Sequence, residues 1–305
     1  MQPDGHDASA VDVIRSFLFV PADSRRKMDK ALSSSADAVI FDLEDAVAPE
    51  RKVDARSCLA EFLGEKRHAI EKRVFIRLNG LATGLTLDDL AATMPFRPDG
   101  YVLPKSRGGC DVRMLGLYLD AFEKAYPDDS IATAIVAIAT ETATSVFGLN
   151  TYKDASPRLY GLMWGAEDLS ADVGARTAHL NGQWTPAFDL ARSMCLFAAS
   201  HAGVTAIDTI PVEIHNAEAL RAESDIARRD GFAAKAAIHP AQIAVINEAF
   251  SPSAEERAWA TRVIAAFGSG DGVATLDGRM LDRPHHKLAT RILTATTAVA
   301  ANSGE

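Results

Sequence analysis

An α/β fold closed as a (β/α)8 barrel, with a C-terminal extension behind it, is the class that this sequence predicts. Three observations predict it. Eight short apolar, β-rich runs recur along the chain, helical patterns separate them, and 305 residues is the length that one such barrel plus an extension would use. The runs fall at Ser16–Val20, Ala38–Leu43, Val74–Leu78, Gly100–Leu103, Thr133–Ala139, Tyr160–Trp164, Val204–Asp208 and Lys235–Ile238. They are nearly continuous in apolar character, as strands buried on both faces are, rather than alternating. Helical stretches between them include Arg26–Ser34, Arg51–Leu63, Leu87–Thr93, Asp111–Ala125, Pro186–Ala202 and Ala217–Asp230. Eight parallel βα units close a TIM barrel. A doubly wound open sheet is the alternative, but its G-x-G-x-x-G fingerprint is missing after the first run, where residues 20–25 read VPADSR.

The barrel, residues 14–250, should close near Pro240–Phe250. The tail, residues 251–305, holds a helical stretch (Ala254–Phe267), a glycine-rich turn (Gly268–Gly272), the segment VATLDGRML and an amphipathic helix near His286–Ala298. It is too small to fold alone and is expected to dock on a barrel, its own or a neighbour's. Residues 1–13 and the closing ANSGE are polar ends of the kind that stay disordered.

Composition narrows the function classes. With 48% apolar and 24% charged residues the chain reads as an ordinary globular protein. A net charge of −9 disfavours nucleic acid as the main partner, yet leaves room for an anionic small ligand held by local cations. No apolar run is long enough to span a membrane and no signal region is visible. Cys58, Cys110 and Cys195 are odd in number and in no metal-type spacing, which fits reduced thiols in a cytoplasmic protein.

Polar residues gather where the strands end. The second strand ends in Asp42-Leu43-Glu44-Asp45, the third in Arg77 and Asn79, the fourth in Pro104-Lys105. Glu141 follows the fifth, Gly165-Ala166-Glu167-Asp168 the sixth, Asp208 ends the seventh and His239-Pro240 follows the eighth. In a barrel these ends share one rim, where active sites sit. Glu141 and Asp168, from adjacent strand ends, are the candidate metal ligands: two carboxylates with room for water suit Mg²⁺, and there is no His/Cys cluster for zinc. A structural salt bridge is the competing reading for either residue. Arg77 has the fork to grip a carboxylate or a polarised carbonyl, or to pair with Asp42, Glu44 or Glu141. Lys30, Lys52, Arg56 and Lys105 are cations that could meet phosphates, or simply solvated surface.

The segments RSFLFVPADS, DAVIFDLEDAVAPERK, VFIRLNG, VLPKS, ATETATSVFGL, GLMWGAEDL and AIHPAQI occur in that order between Arg15 and Ala289. Together they resemble the citrate lyase β-subunit-like proteins, a group with malyl-CoA and citramalyl-CoA lyases inside the HpcH/HpaI aldolase superfamily. The resemblance implies Mg²⁺ (with Mn²⁺ as substitute) on Glu141 and Asp168. Arg77 would contact acyl or oxo-acid oxygens, and Gly165, Ala166 and Glu167 the oxo-acid carboxylate. Phe19 and Lys30 would meet the CoA moiety, and Glu44 and Asp45 would support the metal's waters. In the tail, DGRMLDRPHHKLA resembles a swapped lid whose aspartate, here Asp282, reaches a neighbouring subunit's site in a homotrimer or hexamer.

The expected activity is a Mg²⁺-dependent carbon–carbon lyase that cleaves a 3-hydroxyacyl-CoA such as malyl-CoA or citramalyl-CoA to an acyl-CoA and a 2-oxo acid, or the reverse. Asp282 would carry the proton of the acyl enolate and Arg77 would stabilise its charge. The alternatives are a citrate lyase β subunit acting on a carrier-protein thioester, an aldolase without CoA, and a non-enzymatic acyl-CoA-binding regulator.

Overall fold

The computed structural model describes residues 13–126, 132–180, 182–211, 213–268 and 272–303. It divides into two compact units: residues 16–247, and residue 248 to the end together with the residues before 16.

The larger unit is a closed barrel of eight parallel strands: β1 (Ser16–Pro21), β2 (Ala38–Asp42), β3 (Arg73–Arg77), β4 (Gly100–Leu103), β5 (Ala134–Ile138), β6 (Leu159–Met163), β7 (Thr205–Asp208) and β8 (Ala234–Ala237). Each strand pairs with the next in sequence, and β8 closes on β1 through Ser16–Lys235 and Leu18–Ala237. All eight fall within a residue of the sequence expectation; most are apolar runs rich in β-branched or aromatic residues and buried on both faces, while β8 reads AKAA and is fully buried. Phe17, Phe75 and Tyr160, from the non-adjacent β1, β3 and β6, meet across the lumen with Phe17 and Phe75 centroids 5.4 Å apart. Side chains thus fill the barrel as a core rather than a pore.

The helices of this unit are α1 (Arg25–Leu32), α2 (Lys52–Lys66), α3 (Thr86–Thr93), α4 (Gly109–Ala125), α5 (Ala143–Gly148), α6 (Glu167–Asp172), α7 (Pro186–Ala202) and α8 (Ala217–Asp230), with α9 (Ile243–Ala249) at its end. The boundaries of α7 and α8 follow local chemistry. Pro186 opens α7 and Gly203, at φ 73°, closes it. The Asn216 side chain accepts from the Ala219 amide at the start of α8, and Gly231, at φ 118°, ends that helix. The short α5 and α6, and a two-residue hairpin of His179–Leu180 with Gln183–Trp184, lie outside the sequence expectation. Six residues carry too little periodicity to read. In α5 the Thr142–Ser145 capping box, not an amphipathic pattern, starts the helix.

The smaller unit packs α10 (Ala254–Phe267) and α11 (Arg283–Ser303) with a hairpin of β9 (Val273–Leu276) and β10 (Arg279–Asp282). Ala260, Val263, Leu281 and Ala289 form its buried centre, lined by Trp259, Ile264, Phe267, Ile292 and Leu293. The hairpin, which the sequence marked only as the segment VATLDGRML, turns at Asp277-Gly278, both at positive φ, a pair that suits the strand twist. The helix runs through Ser303, so part of the closing segment expected to be disordered is helical. Residues 1–12 lie outside the described residues, and with them most of the expected N-terminal disorder. All three cysteines are free, and among the described residues no helix is long and apolar enough to cross a membrane.

Candidate active site

A cavity of ≈260 Å³ opens at the C-terminal ends of the barrel strands. Its wall draws on Phe19, Pro21, Asp42, Arg77, Ile138 and Glu141 from β1 to β5, and continues through Met163–Asp168, Thr209, Ile210 and Ile238. Parallel strands put all these ends on one side, so residues far apart in sequence share one pocket.

Glu141 follows β5 and is almost fully buried, whereas the Asp168 side chain, in the first turn of α6, keeps 38% of its surface exposed. Burial pushes the Glu141 carboxyl up to about 8. The Lys105 amide and the Arg77 guanidinium oppose that rise, while Glu44 and Asp168 add to it. A carboxylate so placed is strained as an anion and would gain from a cation. Gly165, between the two, is needed for space: a Cβ there would lie 2.9 Å from Glu141 Cγ and 3.2 Å from Ile138 Cγ2. Thr140 pins this turn, its hydroxyl accepting from the Gly165 amide at 3.0 Å. Ala166 is buried and Glu167 exposed, and both line the cavity.

Arg77 ends β3, faces the cavity and is engaged on all sides. Its Nε and Nη2 donate to Asp42 at 2.8 and 2.5 Å, and its Nη1 lies 2.9 Å from Glu44. The guanidinium sits 5.0 Å from the centre of the Phe19 ring. Burial alone would lower its pKa, but Asp42, Glu44 and Glu141 outweigh it and hold the group charged. The fork that could grip a substrate bidentately is thus already committed to Asp42, with β2 and β3 in register at Asp42–Arg77.

Glu44 and Asp45 lie behind the cavity rather than in its wall. Glu44 is buried between Arg77 and Lys105, and burial raises its pKa despite those two cations. Asp45 is exposed and pairs with Lys105 at 2.8 Å. Burial raises its pKa too, but hydrogen bonds from Lys105 and Glu44 bring it net below the ordinary value.

Several residues expected at the rim have structural partners. Asp208 is fully buried: its Oδ1 accepts from Trp164 Nε1 and its Oδ2 from Lys235 Nζ, both at 2.7 Å, and Arg192 lies at 3.3 Å. Asn79 bonds Asp89, and His239 caps the turn that Gln242 completes. The cations proposed for phosphates are mostly occupied within the barrel: Lys52 donates to the Leu43 and Glu44 carbonyls, Arg56 pairs with Asp89, and Lys105 joins the acidic cluster. Lys30 is exposed on α1 and outside the cavity wall, near enough to His239 to help lower that ring's pKa after burial. In the smaller unit Asp282 ends β10, half-exposed, with its Oδ1 2.6 Å from His285 Nδ1. Thr209 and Trp164 line the cavity without having been singled out, and neither carried a signal; Asp42, named at the rim and among the candidate partners of Arg77, lines it as well.

Comparison with known proteins gives this arrangement a family. The model of the HpcH/HpaI aldolase/citrate lyase family matches residues 15–240. The chain is 34% identical over 295 residues to a (3S)-malyl-CoA thioesterase of Cereibacter sphaeroides (strain ATCC 17025 / ATH 2.4.3), covering 94% of this chain and 96% of that protein. It is 30% identical over 297 residues to the mitochondrial citramalyl-CoA lyase of Mus musculus, covering 93% and 86%. The crystal structure of protein CitE from Mycobacterium tuberculosis, in complex with magnesium, acetoacetate and coenzyme A, superposes with a TM-score of 0.75 at 32% identity, over 93% of this chain and 98% of that one. The chain belongs to the HpcH/HpaI aldolase/citrate lyase family.

Proposed function

We propose that this protein is a Mg²⁺-dependent carbon–carbon lyase that cleaves a 3-hydroxyacyl-CoA, such as malyl-CoA or citramalyl-CoA, into an acyl-CoA and a 2-oxo acid, or joins the two. One observation carries the reading: Glu141, Asp168 and the Gly165–Glu167 turn converge with Arg77 on one cavity at the catalytic end of a barrel.

The residues fit a magnesium ion. Among the described residues no three metal-ligating side chains of His, Cys, Asp or Glu cluster, which disfavours a closed all-protein cage. Mg²⁺ needs none: one or two carboxylates suffice, with water and substrate oxygens completing six. Glu141 and Asp168 would hold it, and the rise in the Glu141 pKa would be relieved by a divalent charge. Bound there, the ion would act as a Lewis acid that eases loss of the substrate hydroxyl's proton in the cleaving direction and polarises the keto group of the oxo acid in the condensing one.

The chain's own residues do the rest. The Gly165–Glu167 turn would position the oxo-acid carboxylate, with Gly165 leaving the space that Glu141 occupies. Arg77, locked by Asp42, contributes a fixed positive charge beside the acyl oxygen rather than a free bidentate grip. Glu44 and Asp45 support the site from behind. Phe19 in the wall and Lys30 outside it would meet the CoA moiety. Asp282 would deliver the proton to the enolate carbon of the acyl-CoA, or remove it in the condensing direction, from a lid supplied by a neighbouring copy in a homotrimer or hexamer. Free thiols suit a reducing compartment, and a cytoplasmic location belongs to the reading.

A second reading has its own support. A relative at 34% identity is named a thioesterase, so hydrolysis of the thioester, with water entering at the carbonyl and the C–S bond breaking, would follow or replace C–C cleavage. A carrier-protein thioester in place of CoA is the third. The deciding assay presents malyl-CoA and citramalyl-CoA with Mg²⁺ or with EDTA, and follows oxo acid and free thiol separately. The lyase reading expects Mg²⁺-dependent oxo acid and acyl-CoA in equal amounts. Thiol without oxo acid favours the thioesterase. Glu141→Ala and Asp168→Ala should each abolish the Mg²⁺-dependent signal with the melting transition retained, and full activity in either variant would remove the metal assignment.

A further inference from the structure

Lys105 has an unusual combination of properties. It follows β4 and Pro104, and its backbone is left-handed at φ 51°, a region few non-glycine residues occupy. Such strain persists where surrounding structure enforces it, and functional sites are where it collects. Here the conformation turns both ends of the residue to one purpose. The Lys105 amide donates to the buried Glu141 carboxylate. Its ammonium contacts Glu44, pairs with Asp45 at 2.8 Å and lies 3.9 Å from Asp168. One residue therefore ties the loop after β2 to both carboxylates proposed to hold the ion. Its side chain is only 39% exposed, and the Glu44 side chain facing it only 6%. It is not a solvated phosphate hook.

Resting on the metal site proposed above, we propose that Lys105 is a positioning residue that supplies a resident positive charge to this carboxylate cluster, and so limits how tightly a divalent ion is held there. The ammonium and the ion draw on the same negative charge. An ammonium beside Asp168 repels a divalent ion bound to it, and its bonds to Glu44 and Asp45 keep those two carboxylates from becoming rival ligands. A moderate hold is useful to a site whose ion must also accept and release substrate oxygens.

The test is calorimetric titration of the purified protein with MgCl₂ alone, together with thermal melts in EDTA and in excess Mg²⁺. The variants are Lys105→Met, which removes the charge, Lys105→Arg, which keeps it, and Lys105→Gly, which removes the charge and suits the left-handed backbone. Lys105→Met and Lys105→Gly are expected to bind Mg²⁺ tighter, by roughly tenfold, for loss of one nearby like charge. They should also melt lower in EDTA and regain the difference in Mg²⁺. Lys105→Arg should bind as the parent does. Simple structural damage would move affinity the other way, so weaker or unchanged binding in Lys105→Gly overturns the inference. The parent and variants together separate this failure from that of the metal site itself: binding by the parent with no gain in the variants sinks the inference alone, whereas no binding by the parent or by any variant sinks both.

Discussion

At the residue scale, the site is governed by space and charge more than by residue type. Gly165 has an ordinary backbone but stands where a methyl group would strike Glu141 2.9 Å away. Gly165→Ala should therefore displace Glu141 and cost turnover on the order of 100-fold, while moving the melting temperature little; kinetics beside a melt checks this, and unchanged kinetics would mean that Glu141 keeps its place or takes no part in turnover. Asp282 poses the opposite case, a half-exposed carboxylate whose visible partner is His285. Asp282→Asn should leave CoA-thioester binding intact and reduce kcat on the order of 10²–10⁴-fold, the usual range for losing a general acid. Binding measured by thermal shift and turnover measured on the same sample would expose either half of that expectation as wrong. The sequence named Glu141, Asp168 and Arg77 and offered Asp42, Glu44 or Glu141 as a partner of Arg77, but not that Asp42 would take the Nε/Nη2 edge of the fork while Glu44 takes Nη1. Strand order is readable, whereas the register that sets Asp42 beside Arg77 exists only in the folded sheet.

At the element scale, the strands were legible and the short helices were not. A buried parallel strand writes itself as an apolar run, while α5 is started by a capping box and α6, with no side-chain cap, buries only Leu169. Strand β7 shows the limit of reading strand ends as catalytic. Asp208 has the right position, yet the sheet places Lys235 beside it in register, and Trp164 and Arg192 complete its bonding. Burial would raise the Asp208 pKa, but Lys235 and Arg192 bring it below the ordinary value. Lys235 is raised above its own by Asp208 and Glu223 in spite of burial. Lys235→Met would leave Asp208 buried without its main counter-charge and should cost about 3–5 kcal/mol. Adding Asp208→Asn should recover part of that loss in denaturant melts. A single variant as stable as the parent would show that the pair contributes nothing.

At the scale of the whole molecule, acid sensitivity follows from ion pairs on the barrel's outer layer. Glu123 accepts from Arg158 at 2.5 Å and from the Thr133 amide at 3.0 Å. Burial would raise its carboxyl, but these bonds outweigh it and bring it down to about 2 from an ordinary 4.5. The folded state thus binds this proton less readily than the unfolded chain. The resulting stabilisation is complete above about pH 4.5 and is lost as pH falls toward 2. Melting temperatures of Glu123→Gln should accordingly decline less steeply than those of the parent across that window, and parallel declines would count against the pair.

What the sequence determined by itself is the fold class, the order of the strands, the rim on which the polar residues fall and the family. These rest on local signals: burial writes apolar runs, and strand ends in a barrel share one face. Tertiary structure alone decided which rim residues face the cavity and which neutralise one another. Asp208 turned out to be a buried counter-ion, Arg77 a clamped charge, and Lys105 a cation inside the acidic cluster rather than on the surface. The reason is physical. Charge pairing depends on distances of a few ångströms between chain segments far apart in sequence, and those distances are set by sheet register and loop conformation, which no local pattern encodes.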